Sequence, residues 1–195
     1  MPEDKSDKTI LRRQLLSARA RLSGADVDAA ARALARQALG LPELAGAGTV
    51  AAYVSIGTEP GTRALLDALR ERGVRVLLPV LLDDNDLDWA AYEGADRLEK
   101  ARLGLLEPAG ERLGPDAVCA ADTVLLPGLA VDARGLRLGR GGGSYDRVLA
   151  RLARAGAEPA LVVLLYANEV VERVPEEPHD HPVQAVVTPE GVRRF

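Results

Sequence analysis

Apolar positions along the chain alternate between two periods. From residue 7 to 22, Leu11, Leu15 and Leu22 fall on one helical stripe, with Arg12, Arg13 and Arg19 off it, which predicts an amphipathic helix. Ser23 followed three residues later by Asp26 resembles a capping box, and the Ala-rich sequence behind it predicts a second helix to Leu39, stopped by Gly40 and Pro42. Thr49–Ile56 (TVAAYVSI) reads as a buried strand. Thr62 is placed to cap a helix running to Arg72, which Gly73 ends. Val74–Leu82 is the next strand, so the unit implies a parallel pair with a right-handed crossover. After an acidic turn at 83–86, Leu87–Tyr92 reads as a strand and 94–116 as irregular. Thr123–Val131 (TVLLPGLAV) is a strong strand, and the glycine-rich loop behind it opens a helix to about Ala155. Ala160–Tyr166 and Ala185–Thr188 complete the strands.

This alternation predicts an α/β fold: a single domain over residues 1–195, built on an open, mostly parallel sheet with helices on both faces. Ligands in such sheets bind beyond the carboxyl ends of the strands, where the loops 57–62, 128–146 and 167–182 fall.

Composition narrows the function classes. With 195 residues, 47% of them hydrophobic, the chain builds a sizeable core without disulfides or metals. Aromatics are only 3%, so that core rests on Leu, Val and Ala. No run of about 18 apolar residues is present to span a membrane, and residues 1–7 do not resemble a signal peptide. Cys119 is the only cysteine, which excludes an internal disulfide. These features predict a cytoplasmic protein. The net charge is −4 with both signs interspersed, so nucleic acid is not the expected partner. The chain is expected to act as a monomer.

The chemistry-bearing residues cluster in Gly139–Asp146. Gly139, Gly141, Gly142 and Gly143 free the backbone to turn its N–H groups inward, and the helix that follows favours an anion at its N-terminus. A surface turn is the plainer reading of the glycines alone. Arg137, Arg140, Tyr145 and Asp146 tip the balance toward a phosphate cradle, although neither the Walker pattern nor the dinucleotide fingerprint is matched. Asp146 and Asp180 are candidate magnesium ligands, with a helix first-turn carboxylate as the plain account of Asp146. His179-Asp180-His181 lacks the further ligands of a zinc site, and a turn between Pro178 and Pro182 explains it more simply. Glu59, in the turn after the first strand, is placed either to accept ring N–H groups of a ligand or simply to face solvent. Lys8 and Arg12, one helical turn apart, could clamp phosphates or form a solvated basic face. Tyr53, Trp89 and Tyr92 could line an apolar pocket or pack in the core.

Pro127–Arg147 (PGLAVDARGLRLGRGGGSYDR) resembles the signature of the 5-formyltetrahydrofolate cyclo-ligase family, also called methenyltetrahydrofolate synthetase. Four further blocks in the right order resemble that family: KTILR from Lys8, YVSIGTEPGT from Tyr53, LGLLEP ending at Pro108, and HDHPVQAVVTPEG from His179. The resemblance implies a ribose-phosphate-isomerase-like variant of the open α/β sheet. It also implies a reaction, in which 5-formyltetrahydrofolate and ATP, with Mg2+, give 5,10-methenyltetrahydrofolate, ADP and phosphate. Carried over residue by residue, it gives Lys8, Arg12, Arg137 and Gly139–Asp146, Ser144 included, to ATP. It gives Tyr53, Ser55, Glu59 and Trp89 to the folate, and Asp146 and Asp180 to magnesium. Arg140 and Tyr145 become the expected catalytic residues. Some positions bear on the family pattern: Gly142 where the family often has Lys or Gly, so that no lysine comes from this loop, Ser144 for the first of two tyrosines, Val131 for Phe, and Gln184 for Asp. Two alternatives stay open, a non-catalytic relative that binds nucleotide or folate, and a sugar-phosphate isomerase on the same type of fold.

Overall fold

The computed structural model describes residues 3–195, with side chains from residue 6 onward. Helix α1 spans Glu3–Ala20 and α2 spans Gly24–Leu39. The capping box between them is present: the Ser23 hydroxyl accepts the Asp26 N–H, and the Asp26 carboxylate accepts the Ser23 N–H. Pro42 opens a short helix rather than merely ending one, giving α3 at Pro42–Ala45. Strand β1 (Thr49–Ala51), helix α4 (Arg63–Glu71) and strand β2 (Arg75–Leu81) form the first strand–helix–strand unit, closed at Gly73 with φ +80°. Strand β3 (Leu87–Ala91) returns antiparallel to β2. The segment expected to be irregular holds a small hairpin of β4 (Leu98–Lys100) and β5 (Leu106–Pro108). Strand β6 (Thr123–Leu126) is followed by the two-residue pair β7 (Ala130–Val131) and β8 (Arg137–Leu138), then α5 (Ser144–Ala155). Strands β9 (Ala160–Leu164), β10 (Ala185–Thr188) and β11 (Gly191–Arg194) end the chain.

The main sheet has seven strands in the order β11-β10-β9-β6-β1-β2-β3. Its five inner strands run parallel, and an antiparallel strand closes each edge. Alternate residues serve opposite faces. Val76 and Leu78 of β2 pack with Leu65, Leu66 and Leu69 of α4 and Leu34 of α2. Leu77 points the other way, to Val148, Leu149 and Leu152 of α5. Each such leucine, fully buried, contributes about 1.5–3 kcal/mol. A third cluster, Leu129, Ala130, Leu136, Leu138 and Val174, receives Leu15 of α1. No helix among the described residues is long and apolar enough to cross a membrane.

Two expected strands are shorter than their apolar runs. The run from Thr49 to Ile56 leaves the ladder after Ala52, whose N–H still reaches Leu77 at 2.9 Å. Beyond it the Thr62 hydroxyl donates to the Tyr53 carbonyl at 2.7 Å, and Ser55 and Thr62 exchange N–H···Oγ bonds. Thr62 thus shapes a buried turn and makes no side-chain cap on α4. The run from Thr123 to Val131 breaks at Pro127-Gly128, and Ala130–Val131 pairs with β8 instead.

Asp132 explains why that second break is stable. Its buried carboxylate accepts the N–H groups of Arg134, Leu136 and Val174 at 2.9, 3.2 and 3.0 Å, and the Arg134 guanidinium as well. Burial pushes its pKa up, but these donors outweigh burial and hold it below the usual aspartate value. A lowered native pKa adds stability above the unfolded value, which is lost as pH falls through the native one. Asp132→Asn should therefore cost on the order of 1.5–3 kcal/mol at pH 7, the worth of hydrogen bonds to a charged acceptor. In denaturant titrations the gap to wild type should close as the pH is taken below the ordinary aspartate value of 3.8. A gap that stays constant with pH would show that Asp132 acts through shape alone.

Candidate active site

The strand order reverses between β1 and β6: β1 leads to β2 on one side and β6 to β9 on the other. A crevice opens beyond the carboxyl ends of two such strands. A cavity of about 350 Å³ lies there. Its walls are Tyr53, Val54, Ile56 and Glu59 after β1, Pro127 and Gly128 after β6, the loop 137–146, and Lys8 and Arg12 from α1. Leu81, Leu87, Leu103, Leu105 and Leu106 form an apolar side, with Glu177 and Asp180 at the opposite rim.

The glycine loop is built for close approach. Gly141 and Gly143 hold φ +98° and +80°, and a Cβ on Gly141 would sit 3.4 Å from the Arg12 guanidinium carbon. The Arg12 Nε donates to the Gly139 carbonyl at 2.8 Å. Gly143 precedes α5 with no side-chain cap, so the first N–H groups of that helix face the cleft without a capping partner. Arg137 is buried beneath the loop, where Nη1 donates to the Pro127 carbonyl at 2.9 Å and Nη2 lies 3.5 Å from Asp146. Its Nε has no partner among the described residues, and burial lowers its pKa. Asp146 remains half exposed at the cleft.

Two expected ligand groups are paired with each other. Arg140 Nη2 lies 3.3 Å from Glu59 Oε1. The other Glu59 oxygen accepts the Ile56 N–H at 2.9 Å, which folds the 56–59 turn onto itself. Tyr145 lines the cavity, and its buried hydroxyl has no hydrogen-bond partner among the described residues. Burial, then the Glu59 charge, keep that phenol protonated well above the ordinary tyrosine value. Burial and Glu59 raise Tyr53 in the same way.

Lys8 donates to Glu177 Oε2 at 2.7 Å and Asp180 Oδ2 at 3.2 Å. Burial opposes its charge, but these carboxylates outweigh burial and hold its pKa above the usual lysine value. Glu177, His179 and Asp180 bring ligand atoms within 4.8 Å of one another. The single Lys8 ammonium already contacts two of the three and offsets only one of their two negative charges. Oxygen donors at this rim, together with exposed Asp146, suit a hard cation better than zinc.

Two expected residues lie outside the cleft. Trp89 is 0% exposed: it shares its face of β3 with Leu87, which lines the cavity, but lies deeper, covered by Leu77, Val118 and Leu149. Ser55 is occupied by the exchange with Thr62, and the cavity wall passes from Val54 to Ile56. Tyr92 is likewise in the core, with its hydroxyl bonded to Asp67 at 2.6 Å. Other residues escaped sequence reading. Glu177 carries no motif signal. Leu103 is 82% exposed with φ +58°, an apolar side chain in a glycine-like conformation at the cleft edge. Arg19 and Glu169 form a buried ion pair below the floor.

A family model of the 5-formyltetrahydrofolate cyclo-ligases matches residues 4–189. The chain belongs to the 5-formyltetrahydrofolate cyclo-ligase family. It is 43% identical over 146 residues to the 5-formyltetrahydrofolate cyclo-ligase of Mycolicibacterium smegmatis, covering 72% of this chain and 73% of that one. The cyclo-ligase of Escherichia coli is 35% identical over 153 residues, or 77% of this chain and 83% of the relative. The NMR structure of Aquifex aeolicus 5,10-methenyltetrahydrofolate synthetase superposes with a TM-score of 0.80 at 30% identity, covering 96% of this chain and 92% of that one. The expected cyclo-ligase α/β fold is therefore the fold observed, and family membership sets aside the sugar-phosphate isomerase alternative.

The displacement of Trp89 has a measurable consequence. Trp89→Phe should lower unfolding free energy by about 1–3 kcal/mol, the ordinary range for core truncation. The low end is favoured, because the indole N–H it removes has no partner among the described residues. Its KM for folate should match wild type in steady-state kinetics. A raised KM with unchanged stability would return Trp89 to the cleft.

Proposed function

We propose that the cleft closes 5-formyltetrahydrofolate to 5,10-methenyltetrahydrofolate at the expense of ATP, releasing ADP and phosphate. The observation that carries this is the division of one cavity. Its lining combines an uncapped helix N-terminus with Arg12, Arg137 and Arg140, and also a group of leucines with Tyr53 and Glu59. The cationic half suits a triphosphate, and the other half suits a flat ring bearing N–H donors.

The formyl oxygen attacks the γ-phosphorus while the bond to the β–γ bridging oxygen breaks and ADP leaves. N10 then adds to the activated formyl carbon, its proton passes to solvent, and the carbon–oxygen bond to phosphate breaks. This chemistry needs positioning and charge neutralisation more than a protein nucleophile. Lys8, Arg12, Arg137 and the loop from Gly139 through Ser144 hold ATP. Arg140 turns from Glu59 to the migrating phosphoryl group, which frees Glu59 to accept pterin N–H groups. Tyr145 donates its unpaired hydroxyl to the oxygens that gain charge. Magnesium, held at Asp146 and reached from Asp180, neutralises phosphate oxygens when bound. A reducing compartment suits a chain with the single cysteine Cys119, in keeping with a cytosolic monomer.

Purified protein should form methenyltetrahydrofolate, followed by its absorbance, only when ATP, magnesium and 5-formyltetrahydrofolate are all present. Chelation of the metal should stop it. A folded sample that binds both substrates and never yields product would favour a non-catalytic relative, a reading that rests on Gly142 and Ser144.

A further inference from the structure

Arg19 and Glu169 are 2% and 1% exposed, although neither lines the cleft. Their contacts nonetheless reach three of its walls. Arg19 Nε and Nη2 grip the two Glu169 oxygens at 2.6 and 2.9 Å, and Nη2 also donates to the Gly128 carbonyl at 2.7 Å. Gly128 is cleft floor, and it is so tightly set that an added Cβ would meet Val163 at 3.1 Å and Arg137 at 3.3 Å. Glu169 accepts the Tyr166 N–H at 3.0 Å, and the Arg19 guanidinium carbon lies 5.7 Å from the Tyr166 ring centre. The Tyr166 hydroxyl then donates to the Thr58 carbonyl at 2.9 Å, next to Glu59.

The same pair orients α1. Lys8, Arg12, Leu15 and Arg19 follow one another at steps of four, three and four residues, so they share one helical face. Arg19 anchors the carboxyl end of that face, and Lys8 and Arg12 are carried by it into the cavity. Burial opposes the Arg19 charge, and Glu169 outweighs it, with smaller help from Glu59 and Tyr53.

We propose that Arg19 and Glu169 are positioning residues of the reaction: one buried fork sets the α1 cations, the Gly128 floor and the Glu59 turn in register with each other. The proposal rests on the cyclo-ligase reading above. Stability alone does not require such a pair, because apolar residues of similar size are often neutral or better in its place. Transfer between two bound substrates is sensitive to misplacement on the ångström scale.

The test compares wild type, Arg19→Lys, and the double variant Arg19→Met/Glu169→Met. Thermal unfolding, kcat, both KM values and the Kd of magnesium–ATP are measured for each. The double variant should stay folded, its unfolding midpoint lowered only by the Gly128 carbonyl and Tyr166 N–H that it leaves unpaired, yet lose at least tenfold in kcat, with Kd for ATP weakened severalfold. Arg19→Lys keeps the charge but lacks the planar fork, so it should be folded and similarly slow. A stable variant with wild-type kcat and wild-type ATP affinity overturns the proposal. Activity that merely tracks the unfolding midpoint across the variants overturns it too, as a structural pair would behave. Absence of product from wild type would instead sink the cyclo-ligase reading, and the ATP affinities would still decide the positioning role.

Discussion

Arg19 and Glu169 meet beneath the cleft, where neither charge reaches water. Isolated, either would be severely destabilising in that environment, so the segments that carry them are obliged to meet. Those segments are the last turn of α1 and the residues after β9, which lie 150 positions apart in the chain. Leu15 and the third apolar cluster supply the burial, but the ion pair supplies the direction. Helix α1 can slide little along its groove without stranding a guanidinium. The cleft takes two of its cations from this helix.

The remaining walls follow from the sheet. Reversal of strand order between β1 and β6 leaves a gap that no crossover covers, and the chain fills it with turns rather than elements. Each turn is tied by its own side chains: Thr62 and Ser55 after β1, Asp132 between β7 and β8, Asp180 on the Glu177 N–H. Polar groups in these turns are mostly satisfied internally. Among the described residues that line the cavity, the Tyr145 hydroxyl and Arg137 Nε are left without a partner, and α5 starts without a side-chain cap. Arg140 and Glu59 satisfy each other across the gap. A cation and an anion that neutralise one another at 3.3 Å keep the two halves of the cleft close before either meets a ligand.

Much of this was legible in the sequence. The 3.6 and 2.0 periods located α2, α4, α5 and the inner strands, and the glycine-rich run with its flanking arginines marked one wall of the cavity. Strand ends differ where apolar residues are buried without ladder bonds, as at Tyr53 and Val54, because pattern reports burial and not pairing. Trp89 lies outside the lining because a strand pattern gives no sign of which residues of one face are covered by packing and which stay open to a cavity. Helix α1 hid its docking face for a different reason. Leu11 and Leu15 of the expected stripe do meet the third cluster, but Arg12 and Arg19, expected off that stripe, share the docking face with Lys8. Glu169 could not be read at all, since a buried carboxylate is recognisable only by a distant partner.

The central claim is that one cavity brings the formyl oxygen of one substrate to the γ-phosphorus of the other. The most direct test uses 5-formyltetrahydrofolate carrying oxygen-18 in the formyl group, with ATP and magnesium, and mass analysis of the phosphate released. Direct attack predicts one heavy oxygen in each inorganic phosphate formed with methenyltetrahydrofolate. Unlabelled phosphate, with the heavy oxygen found in water, would contradict it and would mean that ATP hydrolysis and ring closure are separate events.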